Sequence, residues 1–345
     1  MAILRRRIHN RVCQYLLLAV GIVVLPAVAL AGQPLEQGFP LRNQNPFLQI
    51  FGLPAFQSAT LATKGAPEHY LSLDIANHAD AGSNPTEDFV IDGETYFLTL
   101  SSRHRLSNRL ELGFDVPLVA HQDGFLDQAI ENWHDAFGMS NSKRHGPSNQ
   151  LDFSYSGDGV IGYDLGSPSF GLGDIHLTAA MLIRESAGDG DLDVALRATI
   201  KLPTGDSNRL LGSGATDLAI GAYIASTGTL WNRALRVSGF AGALMLGEGN
   251  ILSEIQRSAL PYGGIAATWQ ATERFAIATQ LSAQGAYFDS AIEELGGDSL
   301  QLAVGGYYRL RGRESTLGFA IVEDVSANAT TDVALHFAVR INGEG

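Results

Sequence analysis

Long stretches of strict apolar–polar alternation constrain this chain more than anything else in it. Near the C-terminus, Val333, Leu335, Phe337, Val339 and Ile341 fall on one parity, and Ala334, His336, Ala338 and Arg340 on the other. Wound as a helix, the apolar set would spread round the whole circumference, so the segment reads as a strand. The same alternation runs through 108–119, 172–185, 191–202 and 299–310. These runs are ten to fourteen residues long. Soluble strands usually have about 5–6 residues, whereas a tilted strand crossing a bilayer needs about 9–11. Strand length therefore points to an all-β fold, a transmembrane antiparallel up-and-down β-barrel.

Twelve strands are expected, at 69–78, 92–102, 108–119, 172–185, 191–202, 215–226, 234–246, 260–270, 274–286, 299–310, 315–324 and 331–341. Their connections alternate in length. Short ones at 103–107, 186–190, 227–233, 271–273 and 311–314 face longer ones at 79–91, 120–171, 203–214, 247–259 and 287–298. An even strand number with short periplasmic turns opposite long external loops is the pattern of outer-membrane barrels. Trp231, Trp269 and Phe275 at the short-turn end, and Tyr262, Tyr287 and Phe288 at the long-loop end, stand where aromatic girdles at headgroup level would lie.

Two segments escape the alternation. Residues 32–68 carry Asn45, Pro46, Phe47, Phe51 and Phe56, apolar enough to need shelter but too broken by proline to span a membrane. They are expected to form a plug in the barrel or a periplasmic segment, ahead of a barrel at 69–341 and a C-terminal tail at 342–345. Within the long loop 120–171, Phe125, Leu126, Ala129, Ile130, Trp133 and Phe137 recur at helical spacing. A short amphipathic helix over the barrel mouth is expected there, its apolar face covered either by the loop's own packing or by membrane or ligand.

The N-terminus reads as an export signal. Arg5, Arg6, Arg7 and Arg11 precede an apolar run that ends in Ala29-Leu30-Ala31, an A-x-A cleavage site. Residues 1–31 are thus expected to be a signal peptide. The lone Cys13 would leave with it, so the mature chain is expected to have no disulfide, no thiol chemistry and no cysteine metal site. Losing four arginines takes the formal charge from −13 to −17. So anionic a chain offers no basic stripe for nucleic acid. The expected partners are outer-membrane lipid and lipopolysaccharide, the barrel-assembly machinery and a small solute, with the protein a monomer in a Gram-negative outer membrane.

Three motifs carry a family resemblance. Arg42-Asn43-Gln44-Asn45-Pro46-Phe47 with Gly52-Leu53-Pro54 resembles the start of an uncharacterised proteobacterial family known only as a domain of unknown function. Gly171-Leu172-Gly173-Asp174-Ile175 and Lys201-Leu202-Pro203-Thr204-Gly205-Asp206 are similar to a related group, outer-membrane proteins associated with meta-pathway phenol degradation. The resemblance implies an outer-membrane barrel acting as a channel for small, often hydrophobic molecules. It implies no catalytic residue. Physically the motifs read as scaffold, with proline ending a strand and glycines permitting turns.

Motifs for other chemistry fail on context. The G-x-G-x-x-G at 157–162 is followed by no helix pattern, and Asp189, Asp191 and Asp193 lack the closing glutamate of a calcium loop. No metal or cofactor is expected. The inward parity instead collects Asp74, Glu111, Asp115, Asp174, His176, Arg184, Arg197, Lys201, Asp217, Arg309, His336 and Arg340 as candidate lumen-lining residues, with Arg109 and Asp193 on the same parity. Such charges cannot face lipid, where Arg or Lys at the midplane costs about 2–4 kcal/mol. They line water in a conducting pore or pair across a closed one; the alternation allows both. The functional expectation is a passive channel or transporter for small molecules, not an enzyme. A lipid-modifying enzyme using His176 or His336, and a structural or adhesive barrel, are the competing classes.

Overall fold

The computed structural model describes residues 36, 38–57, 59–124, 150–158, 160–310, 315–325, 329 and 333–342. The expected signal peptide, the helical spacing at 125–137 and the last residues of the tail lie outside them. Fifteen strands form one sheet: β1 Glu68–Ser83, β2 Glu87–Arg105, β3 Leu110–Gln122, β4 Asp152–Gly157, β5 Val160–Leu165, β6 Ser169–Leu172, β7 Ile175–Arg184, β8 Leu192–Leu202, β9 Asp217–Leu230, β10 Arg233–Met245, β11 Ala259–Gln270, β12 Phe275–Gln284, β13 Ser299–Arg309, β14 Ser315–Asp324 and β15 Val333–Asn342.

Twelve of these close an antiparallel barrel. β1 pairs with both β2 and β15, so that Asp74 stands opposite His336 on one side and Phe97 on the other. The remaining neighbours follow in chain order from β7 to β15, and β3 joins β2 to β7. Within the twelve-stranded wall closure leaves no free edge, whose unpaired backbone groups a hydrocarbon environment would penalise heavily, and β5 and β6 end the sheet outside that wall.

The two faces of the wall differ as the alternation requires. Outward positions carry large apolar side chains, among them Leu71, Phe114, Met181, Ile220, Ile277 and Phe319, each more than a third exposed. A ring of such residues suits lipid rather than water. Most inward positions are small or polar: Ala76, Ala180, Ala195, Ala219, Ala278, Ala303 and Ala334 are buried, interleaved with Thr178, Thr199, Gln280, the charges described below and the rings of Phe97, Tyr223, Phe240, Tyr262 and Tyr307. Small inward residues leave room inside the wall, and residues 38–62 occupy it.

Several expectations need correcting. The connection expected at 79–91 is a continuation of β1 and β2, which pair as far as Ser83↔Asp88 around a three-residue turn at 84–86. Asn84 makes that turn, its Oδ1 accepting the N–H groups of Thr86 and Glu87. The loop expected over 120–171 holds strands β4, β5 and β6; β4 extends the sheet beyond β3 by pairing with the upper part of β2. The turn between β9 and β10 is only Trp231-Asn232, both at positive φ (51° and 59°), the conformation that matches the twist of a two-residue hairpin. Trp231 is 78% exposed and meets Trp269 edge-on at 5.6 Å, as a girdle at the short-turn end requires. Tyr262, Tyr287 and Phe288 form no girdle at the other end. All three are buried inside the barrel, because the N-terminal segment reaches that height and offers them an apolar partner.

Candidate functional site in the barrel interior

The N-terminal segment enters at the short-turn end, climbs to a tip at 45–52 near the long-loop end, and returns to the start of β1. Asparagines shape the tip. The Asn43 side-chain oxygen accepts the Asn45 N–H (2.9 Å), the Asn45 side-chain oxygen accepts the Phe47 N–H (3.0 Å), and the Asn45 carbonyl accepts from Leu48 and Gln49. Pro46, which needs no N–H partner at the first position of a turn, fits between them. Asn43 also donates to Ser299 Oγ and to the Ala329 carbonyl, fixing the turn to the wall.

The tip is packed in carbon. Phe47 meets Phe89 (5.5 Å) and Tyr163 (5.7 Å), Phe51 stacks on Tyr287 (5.1 Å) with Phe288 edge-on, and Phe56 meets Phe240 at 5.0 Å. Burying a phenylalanine side chain contributes up to about 3 kcal/mol, so three rings hold the tip firmly. Gly52 permits the closest approach: a Cβ there would lie 2.7 Å from the Asp217 Cβ.

Beside the tip a set of charges is sealed off. Lys201 is fully buried, its Nζ 2.6 Å from Asp174 Oδ2, 3.3 Å from Asp217 Oδ2 and 2.5 Å from Ser213 Oγ. The two carboxylates accept further backbone N–H groups, Asp174 from Gly205 and Ser213, Asp217 from Gly52 and Gly247. One ammonium thereby ties the segment and two loops to the wall. Full pairing with satisfied lone pairs is the condition on which buried charges are tolerated.

The stem of the segment is held differently. Glu36 pairs with Arg340 (2.7 Å), Tyr307 donates its hydroxyl to the Gly38 carbonyl (2.6 Å), and the Phe39 N–H donates to Gln280. On the return leg Arg197 reaches Gln57 (3.0 Å) and Glu111 (2.8 Å), the Ala62 N–H donates to Glu111 (2.5 Å), and Thr60 bridges Asp193 (2.8 Å) and Arg236 (2.6 Å). Arg103 pairs with Asp115 at 2.8 Å, and His336 Nδ1 with Asp74 at 2.6 Å. Between the stem and the wall of β1–β3, β14 and β15 lies a cavity of about 220 Å³, lined by Arg42, Tyr70, Asp74, Phe97, Asp115 and Tyr307 among others.

Of the residues expected in the lumen, Asp74, Glu111, Asp115, Asp174, His176, Arg197, Lys201, Asp217 and His336 are buried inside the barrel, and Arg340 lines the cavity. Arg309 is half-buried at the short-turn mouth, in a cleft shared with Glu36 and Thr316. Arg184 does not line the lumen. Its side chain is 56% exposed and pairs with Asp191 across the β7–β8 turn, because the register shifts between Leu182 and Arg184 and breaks the parity. Asn45, Pro46, Phe47, Phe51 and Phe56 are all buried. Asp193, on the expected parity, holds Thr60, whereas Arg109 is exposed in the β2–β3 turn. The buried or half-buried charges absent from the expected set include Glu36, Arg42, Asp80, Glu94, Arg103 and Arg236. Parity within β2 and β10 was a usable signal for Arg103 and Arg236; nothing local marks Glu36 or Arg42, whose partners are 134 or more positions away.

The histidines are the candidates for an acid–base site within this geometry. The His336–Asp74 pair resembles half of an acid–base site, but His336 Nε2 has no hydrogen-bond partner and Phe39 stands edge-on to the ring at 5.9 Å. A base needs a nucleophile in reach. Among the described residues no group of three or more His, Cys, Asp or Glu side chains is arranged to hold a metal ion.

The crystal structure of the COG4313 outer membrane channel from Pseudomonas putida F1 superposes with a TM-score of 0.53 at 14% identity, covering 81% of this chain and 96% of that one. This likeness shows that the fold is an outer-membrane-type β-barrel. The NanC porin (TM-score 0.45, 8% identity, 80% of this chain and 99% of that one) and the toluene transporter TbuX of Ralstonia pickettii (0.39, 9%, 90% and 95%) are more distant. No curated protein sequence matches. Residues 15–342 match the family described as "Protein of unknown function (DUF3187)".

Proposed function

For a chain that belongs to the DUF3187 family of proteins of unknown function, we propose a passive outer-membrane channel for small molecules, held shut by its own N-terminal segment. The observation that carries this reading is what fills the barrel. A barrel built only as a scaffold is filled by the side chains of its own wall. Here the inward wall carries alanine, threonine, paired charge and a few rings, and the space they leave is filled by residues 38–62, a separate hairpin joined to the wall at one end. Were the hairpin displaced, the wall would enclose a tube lined by Asp74, Glu111, Asp115, Asp174, Arg197 and Lys201.

In this reading residues 1–31 are the cleaved signal, the assembly machinery inserts the chain as a monomer among lipid and lipopolysaccharide, and the short turns face the periplasm. Its passengers include hydrophobic ones, since Phe97 and Tyr307 of the wall face the interior together with the charges. Liposome swelling tests it. Vesicles carrying the chain without residues 33–67 should swell rapidly in a small sugar, and those carrying the intact mature chain slowly. A deleted form that migrates as a folded, heat-modifiable barrel yet passes no solute would contradict the proposal.

A further inference from the structure

The charges around the cavity are not equally satisfied. Arg103, Arg197, Arg236 and Arg340 each hold a carboxylate within 3.3 Å. Arg42, which also lines the cavity, does not. Its Nη1 lies 3.3 Å from both ring nitrogens of His176, and among the described residues no carboxylate lies within 4.0 Å of it. The carboxylates whose field it feels, Asp115 and Asp74, already accept from the closer donors Arg103 and His336. A guanidinium carries five N–H donors and accepts nothing, and a neutral imidazole offers one acceptor. Most of the Arg42 donors are thus left to whatever enters the cavity that it lines. Burial accordingly depresses its proton affinity below that of an ordinary arginine.

The remaining lining sets the shape of the partner. Phe56, Phe97, Tyr70 and Tyr307 present rings to the same space as Arg42. A cavity of about 150 Å³ holds benzene, and this one, at about 220 Å³, has room for a single ring bearing a carboxyl group. We propose that the cavity binds a small organic anion, a carboxylate on a compact apolar body, with Arg42 as its counter-charge. A planar, bidentate donor is the side chain best matched to a carboxylate. As a statement of what the barrel passes, this rests on the channel reading; as a binding site it rests on the cavity alone.

The test is calorimetric titration of the intact mature protein in lipid nanodiscs with benzoate and with benzyl alcohol, its neutral counterpart of similar size. Benzoate should bind at least about tenfold more tightly, the scale of one charge-assisted hydrogen-bonded pair, and Arg42→Gln should erase the difference. Equal affinities, no detectable benzoate binding, or a preference that survives Arg42→Gln would each overturn the site. The comparison of the two ligands on the unmodified protein stands even if the variant fails to fold. Benzoate binding without solute flux in swelling assays would leave the site in place and remove the channel.

Discussion

The N-terminal segment meets the barrel in two ways, and its tip and stem are instructive side by side. At the tip, Phe47 and Phe51 are enclosed by rings, and even the charges there, Lys201 with Asp174 and Asp217, are sealed within the protein. Along the stem, apart from the Phe39–Tyr307 stack and the packing of Leu41 and Leu61, the contacts are ion pairs and single hydrogen bonds, and a cavity remains beside them. Apolar contact and sealed charge respond little to salt or pH, whereas charges that border accessible space respond to both. The difference suggests a division of labour: the tip closes the long-loop end, and the stem is where solutes and conditions act on the lumen.

The contrast can be broken most severely at Lys201. Lys201→Met would leave two carboxylates facing one another without their cation, and loss of one partner from a buried pair costs about 3–5 kcal/mol. Urea titration into lipid vesicles should show that loss; a change below about 1 kcal/mol would mean the tip is not anchored there. Phe51→Ala should be next, about 3 kcal/mol for a truncated buried ring, accompanied by greater solute leak because Tyr287 and Phe288 lose their partner. An intact seal would show that the aromatic contacts are not what closes the barrel.

Smaller effects should come from the stem. Arg340→Gln removes the partner of Glu36 near the short-turn mouth, where a pair bordering solvent is worth about 1 kcal/mol and should weaken with salt. The same variant measured in low and high salt would sharpen the contrast with the salt-insensitive Lys201 cluster. The pH dependence should be slightest. Burial outweighs the attraction of Arg340 and holds the Glu36 carboxyl above its usual range. Its folded-state pKa being raised, docking of the stem is strongest below the ordinary glutamate pKa and weakens as pH rises through the elevated value. Solute leak through the intact mature chain in liposome swelling, followed from pH 4 to 7, should rise with pH and the rise should vanish in Glu36→Gln; a leak that falls over that range would reverse the assignment.

Much of this was legible in the sequence because a barrel wall is a period-two object. Parity alone put Lys201, Asp217 and Arg197 inside, and chain length outside the alternation showed that Phe47, Phe51 and Phe56 needed cover. Parity failed where the backbone slips: the bulge at Leu182–Arg184 turned Arg184 outward. It was silent on Ala79–Ser83, whose small residues look the same on either face of a strand although they extend β1. Proximity to a strand end does not say which way a ring turns, and Tyr262, Tyr287 and Phe288 point inward only because the tip of a distant segment waits for them. Arg42 was visible as part of a motif, yet its role depends on which carboxylates reach it, a property of the closed barrel and not of any local pattern.

Single-channel recording in planar bilayers bears most directly on the claim that residues 38–62 close the barrel. The mature chain should show little conductance and the chain lacking residues 33–67 large, steady openings. Equal conductance in the two forms, or none in a deleted form proven to be folded, would contradict it.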